Sequence, residues 1–569
     1  MLRRLTPLWG PMRPLIMVRQ FSRTANRAND TVVPKITRRS FWSRKRVYWG
    51  AGIIAATVGA YNVNETFKTA VDVTALGTKR AATVSYVLFR CSWAYHSVLT
   101  AKYDSPEEQE AALRECHTRC AKITRWALET NAGLFIKIGQ HIAALTYLFP
   151  EEWTSTMIPL QDKCPTTPYE DVERLILEDE GKPIEELFVS FDREPLGTAS
   201  LAQVHRAELL DGTKVAVKVQ HPSLKRFIPL DIMLIRSAID AIEYFFPQYP
   251  LRWLSSEIEN SIYTELDFRE EARNAGFTSI YFEPFYDLTA LRVPKVFWAR
   301  RRLLCMEFCA GGRPDDLEFL EKHNISRSEL SECFSHIFNN MIFTPGVGLH
   351  CDPHAGNIAI RPLEEHERHG PHNFEVILYD HGLYRYVPSK TRLAYAHLWL
   401  ALLDSNEKDM RKYVEEFAGI GPDKFDIFIA AITGRDTENA KTNVMSRRTS
   451  TETTRMSEQI QQQGLLVQVM QMLREVPNIV LLILKTNDLT RYLDEKLDSP
   501  LGIVRTFLIM AQYCTTTIYK ERIRSIASQY PSKWSLKRRV LELTSWLAYI
   551  TRYSQLKLYS WVALFRPLT

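Results

Sequence analysis

The chain has 569 residues, of which 45% are hydrophobic and 24% are charged, proportions ordinary for a globular protein with room for one two-lobed domain and extensions. Its formal net charge of +6 is concentrated at the N-terminus, where Asp30 is the one acidic residue before Arg46. Acidic and basic residues nearly balance downstream, and no basic stripe interleaved with aromatic residues is present. The composition therefore argues against a nucleic-acid partner.

The N-terminus predicts a mitochondrial presequence over residues 1–21, followed by a basic linker over residues 22–47. Residues 1–21 contain four arginines among apolar residues and no acid, and Arg19-Gln20-Phe21-Ser22 resembles a matrix-peptidase cleavage site. The alternative is a basic tail without a targeting role.

Residues 48–63 contain no charged residue and predict a single membrane-spanning helix. The run is close to the lower length limit for a span and is rich in Ala and Gly, so a soluble or interfacial helix is the alternative. Because Arg44-Lys45-Arg46 precedes it, the positive-inside rule places the N-terminus in the matrix. Nearly all of the remaining chain would then lie in the intermembrane space.

Residues 64–187 predict a helical extension, and from residue 188 the pattern changes to strands. Asp211-Gly212 between two apolar runs is a β-hairpin signal. Residues 188–310 would form a sheet-containing lobe that ends at a hinge, Ala310-Gly311-Gly312, and residues 311–569 a mostly helical lobe.

The nine cysteines include no pair of CxxC motifs. Cys116 and Cys120 lie four residues apart and would share one face of a helix. Two buried thiols are the simpler interpretation, and a disulfide would require an oxidising compartment.

Three short segments, in this order, are typical of a phosphoryl-transfer site. They are Val215-Ala216-Val217-Lys218, His350-Cys351-Asp352-Pro353-His354-Ala355-Gly356-Asn357 and Asp380-His381-Gly382. Lys218 closes an apolar strand and would hold nucleotide phosphates. Asp352 takes the base position, while Asn357 and Asp380 are oxygen ligands suited to Mg²⁺. This order and division of roles is that of protein-kinase sites.

The second segment also permits a zinc-hydrolase interpretation. His350, Asp352 and His354 form a His-x-Asp-x-His pattern that Zn²⁺ can use. Pro353 and the lack of a second histidine cluster disfavour this alternative.

Three further segments resemble the UbiB (aarF-domain) family of atypical kinases. They are Lys137-Ile138-Gly139-Gln140, the loop segment 195–205 and the acidic segment 265–272. The likeness runs from about Trp126 to about Leu400. The basic N-terminus makes the chain similar to mitochondrial members of the family, which are associated with coenzyme Q biosynthesis or distribution and with lipid homeostasis.

The resemblance implies an α+β, atypical protein-kinase-like bilobal fold with a helical N-terminal extension over the active site. It implies ATP, with ADP as an alternative, together with Mg²⁺. The loop over the phosphates would contain Gly197, Thr198, Ala199 and Ser200. Gly197 and Thr198 replace two residues of the family's alanine-rich form, and Gly197 would permit a positive φ and a closer approach to phosphate.

The resemblance also implies a family-specific gate made of Lys137, Gln140, Glu265 and Asp267. Lys137 would reach into the cleft and pair with Glu265 or Asp267, which would exclude a peptide substrate. Glu271, on the helix equivalent to kinase αC, would pair with Lys218. Asp267 and Glu271 would lie one helical turn apart on a shared face.

Together with the N-terminal segments, the resemblance implies a mitochondrial inner-membrane kinase or ATPase that acts in coenzyme Q or lipid handling, with inner-membrane lipids and a quinone or isoprenoid lipid as partners. A catalytically silent, nucleotide-switched lipid-binding scaffold is one alternative. A true protein kinase is another, which the gate disfavours. Near the C-terminus, residues 541–565 mix aromatic and basic residues, which suits either packing on the core or lying on a membrane surface.

Overall fold

The computed structural model describes residues 64–144, 149–161, 164–247, 251–351, 355–435, 441, 468–469, 471–472, 475–499 and 502–563. The predicted presequence, basic linker and membrane-spanning helix lie outside the described residues, and so do Asp352, Pro353 and His354. Within the described part of the chain, no helix combines the length and the apolar character that a membrane crossing requires.

Six helices precede the first strand among the residues that the structure describes. They are α1 (Glu65–Thr100), α2 (Pro106–Asn131), α3 (Leu134–Ala144), α4 (Glu151–Met157), α5 (Tyr169–Glu180) and α6 (Ile184–Leu187), with a 3₁₀ turn at Ile158–Gln161. Helix α2 shows why these segments are helical. Ser105 caps it by accepting a hydrogen bond from the backbone N–H of Glu108, and Glu107 and Glu108 complement the helix dipole.

The N-terminal lobe contains a six-stranded antiparallel sheet. Its strands are β1 (Phe188–Phe191), β2 (Gly197–Thr198), β3 (Ala202–Leu209), β4 (Lys214–Gln220), β6 (Val296–Ala299) and β7 (Leu303–Glu307), in the order β1-β3-β4-β7-β6 with β2 paired to β3. The predicted hairpin joins β3 to β4, and Gly212 has φ 84°, a conformation that glycine adopts without strain. Lys218 lies in the central strand β4, opposite Val204 and Leu304.

Three helices connect the two halves of this sheet. They are α7 (Ser223–Phe245), α8 (Arg252–Glu265) and α9 (Phe268–Phe282). A short helix, α10 (Tyr286–Thr289), and strand β5 (Leu291–Arg292) follow them. Helix α9 packs on the sheet through Phe268, which is buried among Ala202, Ala216 and Leu304. Because Phe268 stands at the start of α9, its burial fixes the first turns of this helix beside β4.

The C-terminal lobe is mostly helical. Its helices are α11 (Leu317–Lys322), α12 (Arg327–Phe343), α13 (Ser389–Leu403), α14 (Glu407–Ala418), α15 (Phe425–Thr433), α16 (Asn478–Leu497), α17 (Gly502–Gln529) and α18 (Leu536–Ala563). Two small sheets lie near the lobe boundary: β5 and β9 (Ile358–Pro362) flank β10 (Phe374–Leu378), and β8 (Leu349–His350) pairs with β11 (Tyr384–Arg385).

The predicted hinge is held against the helical lobe. The backbone N–H and carbonyl of Gly312 exchange hydrogen bonds of 2.9 Å with those of Ile360. A Cβ at Gly311 would lie 2.9 Å from the carbonyl oxygen of Ile360, so this position has no room for a side chain. The predicted α+β organisation is confirmed, with N-terminal helices before a sheet-containing lobe and a helical lobe after it. The predicted domain boundaries stay predictions.

All nine cysteines are free thiols. Cys116 and Cys120 are buried on α2, and their sulfur atoms lie 3.9 Å apart. The structure thus agrees with the simpler interpretation of these residues as buried thiols.

One buried ion pair ties α1 to α7. Arg80 donates from Nε and Nη2 to the two carboxylate oxygens of Asp231, at 2.7 and 2.5 Å. The Asp231 side chain is 1% exposed, and the guanidinium of Arg80 lies over the rings of Phe135 and Phe227. The extension is therefore attached to the sheet-containing lobe by a charge pair whose carboxylate is almost completely buried.

Asp231→Ala should leave the Arg80 cation buried without its carboxylate, which costs about 3–5 kcal/mol of unfolding free energy. Denaturant unfolding of the purified variant measures this loss. The matched control is Glu259→Ala, which breaks the exposed pair of Arg236 and Glu259 and should cost less than about 1 kcal/mol. Equal losses in the two variants would contradict the structural role of the Arg80 pair.

Candidate functional site

Three of the predicted site residues meet between the lobes. The ammonium Nζ of Lys218 lies 2.7 Å from Oε1 of Glu271 and 3.4 Å from Oδ2 of Asp380. The predicted ion pair between Lys218 and Glu271 is therefore confirmed. Lys218 comes from β4, Glu271 from the first turn of α9, and Asp380 from the segment that follows β10.

Gly382 lies at the centre of this charge cluster. A Cβ built on Gly382 would lie 3.1 Å from Oδ1 of Asp380, and 3.9 Å from both Cγ of Glu265 and Oε2 of Glu271. The backbone N–H of Gly382 donates to Asp380 Oδ1 at 2.7 Å. Glycine thus lets three carboxylate side chains approach one backbone position, and its N–H orients one of them.

Burial and neighbouring charges shift the pKa values of the three charged groups in this cluster in different directions. Burial raises the pKa of Glu271 to about 7, since its carboxyl is only 4% exposed. Burial acts to raise the pKa of Asp380 as well, but Lys218 and the N–H of Gly382 hold it well below its ordinary value. Burial acts to lower the pKa of Lys218, yet Asp380 and Glu271 together raise it. At neutral pH the cluster therefore holds an ammonium beside an ionised Asp380.

A layer of histidines under Asp380 fixes its backbone. His350 Nε2 lies 2.8 Å from the carbonyl oxygen of Asp380, and His381 Nε2 lies 3.1 Å from that of Leu378, so both ring nitrogens act as donors. The hydroxyl of Tyr384 lies 2.9 Å from Nδ1 of His381, which then accepts. Burial lowers the pKa of His381 to about 3, so this ring is neutral at physiological pH. The sequence analysis gave none of these residues a positioning role.

Lys137 reaches the site from the N-terminal extension. Its Nζ lies 2.8 Å from Oε2 of Glu265, and the two side chains are only 12% and 10% exposed. The positive charge of Lys137 also contributes to the lowered pKa of Asp380. Of the two predicted partners of Lys137, the structure pairs it with Glu265.

The glycine and glutamine of the Lys137 motif have packing roles in the structure. A Cβ at Gly139 would lie 2.2 Å from Cδ1 of Leu160, so only glycine lets α3 approach the 3₁₀ turn this closely. The side-chain amide of Gln140 donates to the carbonyl of Leu160 at 3.0 Å. These two contacts set the position of α3, and through it the reach of Lys137.

Asp267 differs from our expectation. It is the N-cap of α9, with φ −118° and ψ 94°, and its carboxylate accepts from the backbone N–H of Arg269 at 3.1 Å and from the guanidinium of the same residue. The expectation that Asp267 and Glu271 share one helical face was wrong, because an aspartate at this position is more favourable as a cap than as the first residue of the helix. The side-chain hydrogen bond from Arg269 holds the pKa of Asp267 below its ordinary value.

The predicted phosphate loop begins as a strand. Gly197 and Thr198 form β2 and pair with Val204 and Gln203. Gly197 does not use the positive φ that the sequence suggested, and a Cβ there would meet nothing within 4 Å. Ser200 is buried, whereas Gly197 is exposed. The loop therefore has room for a side chain at position 197, and packing does not require a glycine there.

His221 holds this loop in place through hydrogen bonds to its backbone. Its Nε2 lies 3.1 Å from the carbonyl of Ala199, and its backbone N–H donates to the carbonyl of Leu201 at 2.9 Å. Its Nδ1 lies 2.6 Å from the hydroxyl of Thr167, so Nε2–H donates and Nδ1 accepts. The side chain of Gln203 exchanges two hydrogen bonds with the backbone of Thr167. No motif signalled this network, because its members come from segments far apart in the sequence.

The remaining predicted residues are only partly described. The backbone carbonyl of Asn357 accepts a hydrogen bond from the N–H of Tyr379 at 2.9 Å. Because Tyr379 follows β10 and directly precedes Asp380, this bond places Asn357 beside the end of β10. Asp352 lies outside the described residues. Among the described residues, no group of three or more His, Cys, Asp and Glu side chains is arranged to hold a metal ion. His354 of the zinc alternative also lies outside these residues, so that alternative stays a prediction.

Thr167→Val keeps the side-chain shape but removes the hydroxyl that donates to His221. We expect a loss of about 1–2 kcal/mol in unfolding free energy, because His221 Nδ1 then has no donor in its buried site. Hydrogen exchange should also quicken at the N–H of His221. Thr551→Val is the control, since its exposed hydroxyl bonds only within its own helix. Unchanged exchange in Thr167→Val would show that the hydroxyl does not hold the loop.

Comparison with known proteins agrees with this geometry. Residues 159–414 match the ABC1 atypical kinase-like domain. The chain is 50% identical to the ABC1 family protein MCP2 of Saccharomyces cerevisiae over 533 residues, which is 93% of each chain. It is 43% identical to the MCP2 homolog of Schizosaccharomyces pombe, over 79% of this chain and 81% of the relative.

A more distant relative has the same domain. AarF domain-containing protein kinase 1 of Mus musculus is 34% identical over 85% of this chain and 89% of its own length. The lobes, the paired lysine and glutamate, and these similarities lead to one conclusion: the chain belongs to the ABC1/UbiB (aarF-domain) family of atypical kinase-like proteins.

Proposed function

We propose that this protein binds ATP with Mg²⁺ between its lobes and either hydrolyses it or transfers its phosphoryl group to a small molecule. The observation that supports this most strongly is the pair of neighbouring buried lysines, each bound to its own glutamate. Lys218 and Glu271 form the pair that a kinase site requires. Lys137 and Glu265 form a second pair beside it that ordinary kinases do not need.

The residues present fit a magnesium nucleotide. Asp380 has an ionised carboxylate that is 38% exposed. Asn357, whose backbone carbonyl accepts a hydrogen bond from Tyr379 next to Asp380, would supply a neutral oxygen. A carboxylate and an amide suit the octahedral oxygen shell of Mg²⁺, in which water and phosphate oxygens take the other positions. When bound, the ion would neutralise negative charge on the phosphate.

Each residue of the candidate site then has a defined role. Lys218 holds phosphate oxygens while Glu271 holds Lys218 in place. Asp380 and Asn357 would hold the cation, and His350 and Gly382 orient Asp380. Asp352, which follows β8, would accept a proton from an alcohol or position water.

The Lys137 pair favours a small acceptor over a peptide. A lysine that enters the cleft from α3 occupies space that an extended peptide would need. Separating Lys137 from Glu265 would leave two largely buried charges without a partner. An acceptor that fits beside this pair must therefore be small, or it must be water.

We further propose that the protein acts at the mitochondrial inner membrane, in coenzyme Q or lipid homeostasis. The basic residues 1–47 and the uncharged run 48–63 support targeting and anchoring. The uneven charge and the likeness to the family support lipid or quinone partners.

The direct test is ATP turnover by the purified protein, with and without phospholipid and quinone analogues. We expect turnover that rises with the lipid or quinone. Binding without turnover under every condition would favour the catalytically silent, nucleotide-switched scaffold instead.

Asp380→Asn should abolish the thermal stabilisation that MgATP gives. A ligand present at one hundred times its Kd stabilises the native state by about 2.7 kcal/mol, and loss of affinity removes this gain. Differential scanning fluorimetry with and without MgATP measures the shift. Asp404→Asn is the control, because Asp404 is half-exposed and pairs with Arg552 away from the cleft. A full MgATP shift in Asp380→Asn would show that Asp380 does not bind the metal.

Lys137→Ala should lower stability by about 3–5 kcal/mol, because Glu265 loses its buried partner, and should raise autophosphorylation as the cleft opens. Thermal melts and a radiolabel assay on the same preparation measure both effects. Lys122→Ala, an exposed lysine on α2, should change stability by less than about 0.5 kcal/mol. Wild-type behaviour of Lys137→Ala in both assays would reopen the protein-kinase alternative.

Protease added to mitoplasts with a ruptured outer membrane should degrade the kinase-like domain. The reason is the cluster Arg44-Lys45-Arg46 before the uncharged run, which keeps the N-terminus in the matrix. A matrix protein in the same preparation must remain intact. Protection of the domain under these conditions would overturn the intermembrane-space orientation.

A further inference from the structure

Helix α18 carries its apolar residues on the side that faces away from the protein. The side facing α17 contains small, polar and aromatic residues: Tyr549 stacks on Tyr519 with ring centres 4.5 Å apart, and Arg552 pairs with Asp404. Leu556 is the one buried apolar side chain described on α18, and it packs among Leu508, Ala511 and their neighbours. A helix that merely covers a core has the opposite arrangement.

The outward side of α18 carries an apolar stripe that is interrupted by one polar residue, the exposed Ser554. At about 100° per residue, the members of this stripe lie within about 40° of one direction along the whole helix. They are Leu536, Val540, Leu543, Leu547, Ile550, Leu558 and Trp561, and all are exposed. Leu536 is 79% exposed and Leu558 is 60% exposed, so the stripe remains open from its first turn to its last.

Positive charge borders the stripe. Residues 533–563 contain six basic residues and one acid, Glu542. Glu542 lies toward the protein and accepts a hydrogen bond from Arg538 at 2.7 Å. Lys537 lies along one edge of the stripe, and Arg539 and Lys557 lie along the other, all three exposed. The outward face thus combines an apolar centre with cationic edges.

We propose that α18 lies on an anionic phospholipid bilayer, with its apolar stripe buried among the acyl chains and its cationic edges at the headgroups. A helix with leucine and tryptophan on one face and lysine and arginine beside them binds in the plane of a membrane interface. Basic residues near such a surface are attracted to the negatively charged headgroups.

The same charges argue against a second copy of the chain as the occupant. A two-fold symmetric contact through this stripe would place one cationic edge against another with no acidic residue on that face to compensate. The bilayer supplies the opposite charge, and the helix has an apolar face long enough to lie along it. The inference goes beyond the proposed nucleotide chemistry and does not depend on it.

The test places an environment-sensitive fluorophore on the helix of the full-length protein reconstituted in vesicles. Leu547→Cys puts the label in the stripe. Ala548→Cys, one residue later and exposed, puts it about 100° around the helix as the matched control. The wild-type chain, labelled in parallel, gives the background from native cysteines.

In vesicles of phosphatidylcholine and cardiolipin, we expect a blue-shifted emission at position 547 and quenching by doxyl-labelled lipid several-fold stronger than at position 548. Phosphatidylcholine alone should give weaker quenching. Replacing Lys537, Arg539 and Lys557 together by Gln should reduce the quenching in anionic vesicles to the level in phosphatidylcholine.

Two results would overturn the proposal. Water-like emission at position 547 in both kinds of vesicle would show that the stripe does not enter the bilayer. A blue shift that rises with protein density in the vesicles, without quenching by doxyl lipid, would show that a second copy covers the stripe.

Discussion

Two largely buried lysine–glutamate pairs, with the Asp380 carboxylate beside one of them, determine how the parts of this protein fit together. The charged side chains of the cleft are contributed by α3, β4, α8, α9 and the segment after β10, and they are Lys137, Lys218, Glu265, Glu271 and Asp380. A buried charge is tolerated only while its partner is in place, so none of these five elements can shift alone. The N-terminal extension is therefore part of the site. The ion pair of Arg80 and Asp231, which joins α1 to α7, helps to hold the extension in place.

Much of this site could be predicted from the sequence, because the kinase-like segments occur in a fixed order and each has a chemical reason. Lys218 follows three apolar strand residues, which places it in a central strand, and the pair with Glu271 follows from the helix that comes next. The glycines are informative in the same way. Asp211-Gly212 predicted the turn between β3 and β4, and Gly311 marked a hinge where two backbones touch.

The remaining features depend on contacts between distant segments, which a single sequence does not reveal. The sequence predicted that Asp267 would lie within a helix. In the structure Asp267 caps α9, and its carboxylate accepts its hydrogen bonds locally, from Arg269. Gln140 belongs to a motif that suggests the cleft, yet its amide meets the carbonyl of Leu160, because the close approach at Gly139 brings that turn within reach. The sequence of helix α18 does not show which way its apolar residues point, and the structure places most of them outward. For residues 541–565 the sequence had left core packing and a membrane surface as alternatives, and the structure shows packing through one side of α18 only.

We infer that Lys137 of the extension and Glu265 of the kinase-like lobe are energetically coupled inside the cleft. A double-mutant cycle with Lys137→Ala, Glu265→Ala and the double variant tests it directly, since the cycle isolates the interaction of the two side chains from their other contacts. Unfolding free energy and MgATP affinity should be measured on all four proteins. We predict a coupling of about 2 kcal/mol in unfolding free energy, with the double variant more stable than the sum of the two single losses implies. Additive losses, with a coupling of about zero, would contradict the account, because the extension would then lie beside the cleft without being energetically part of it.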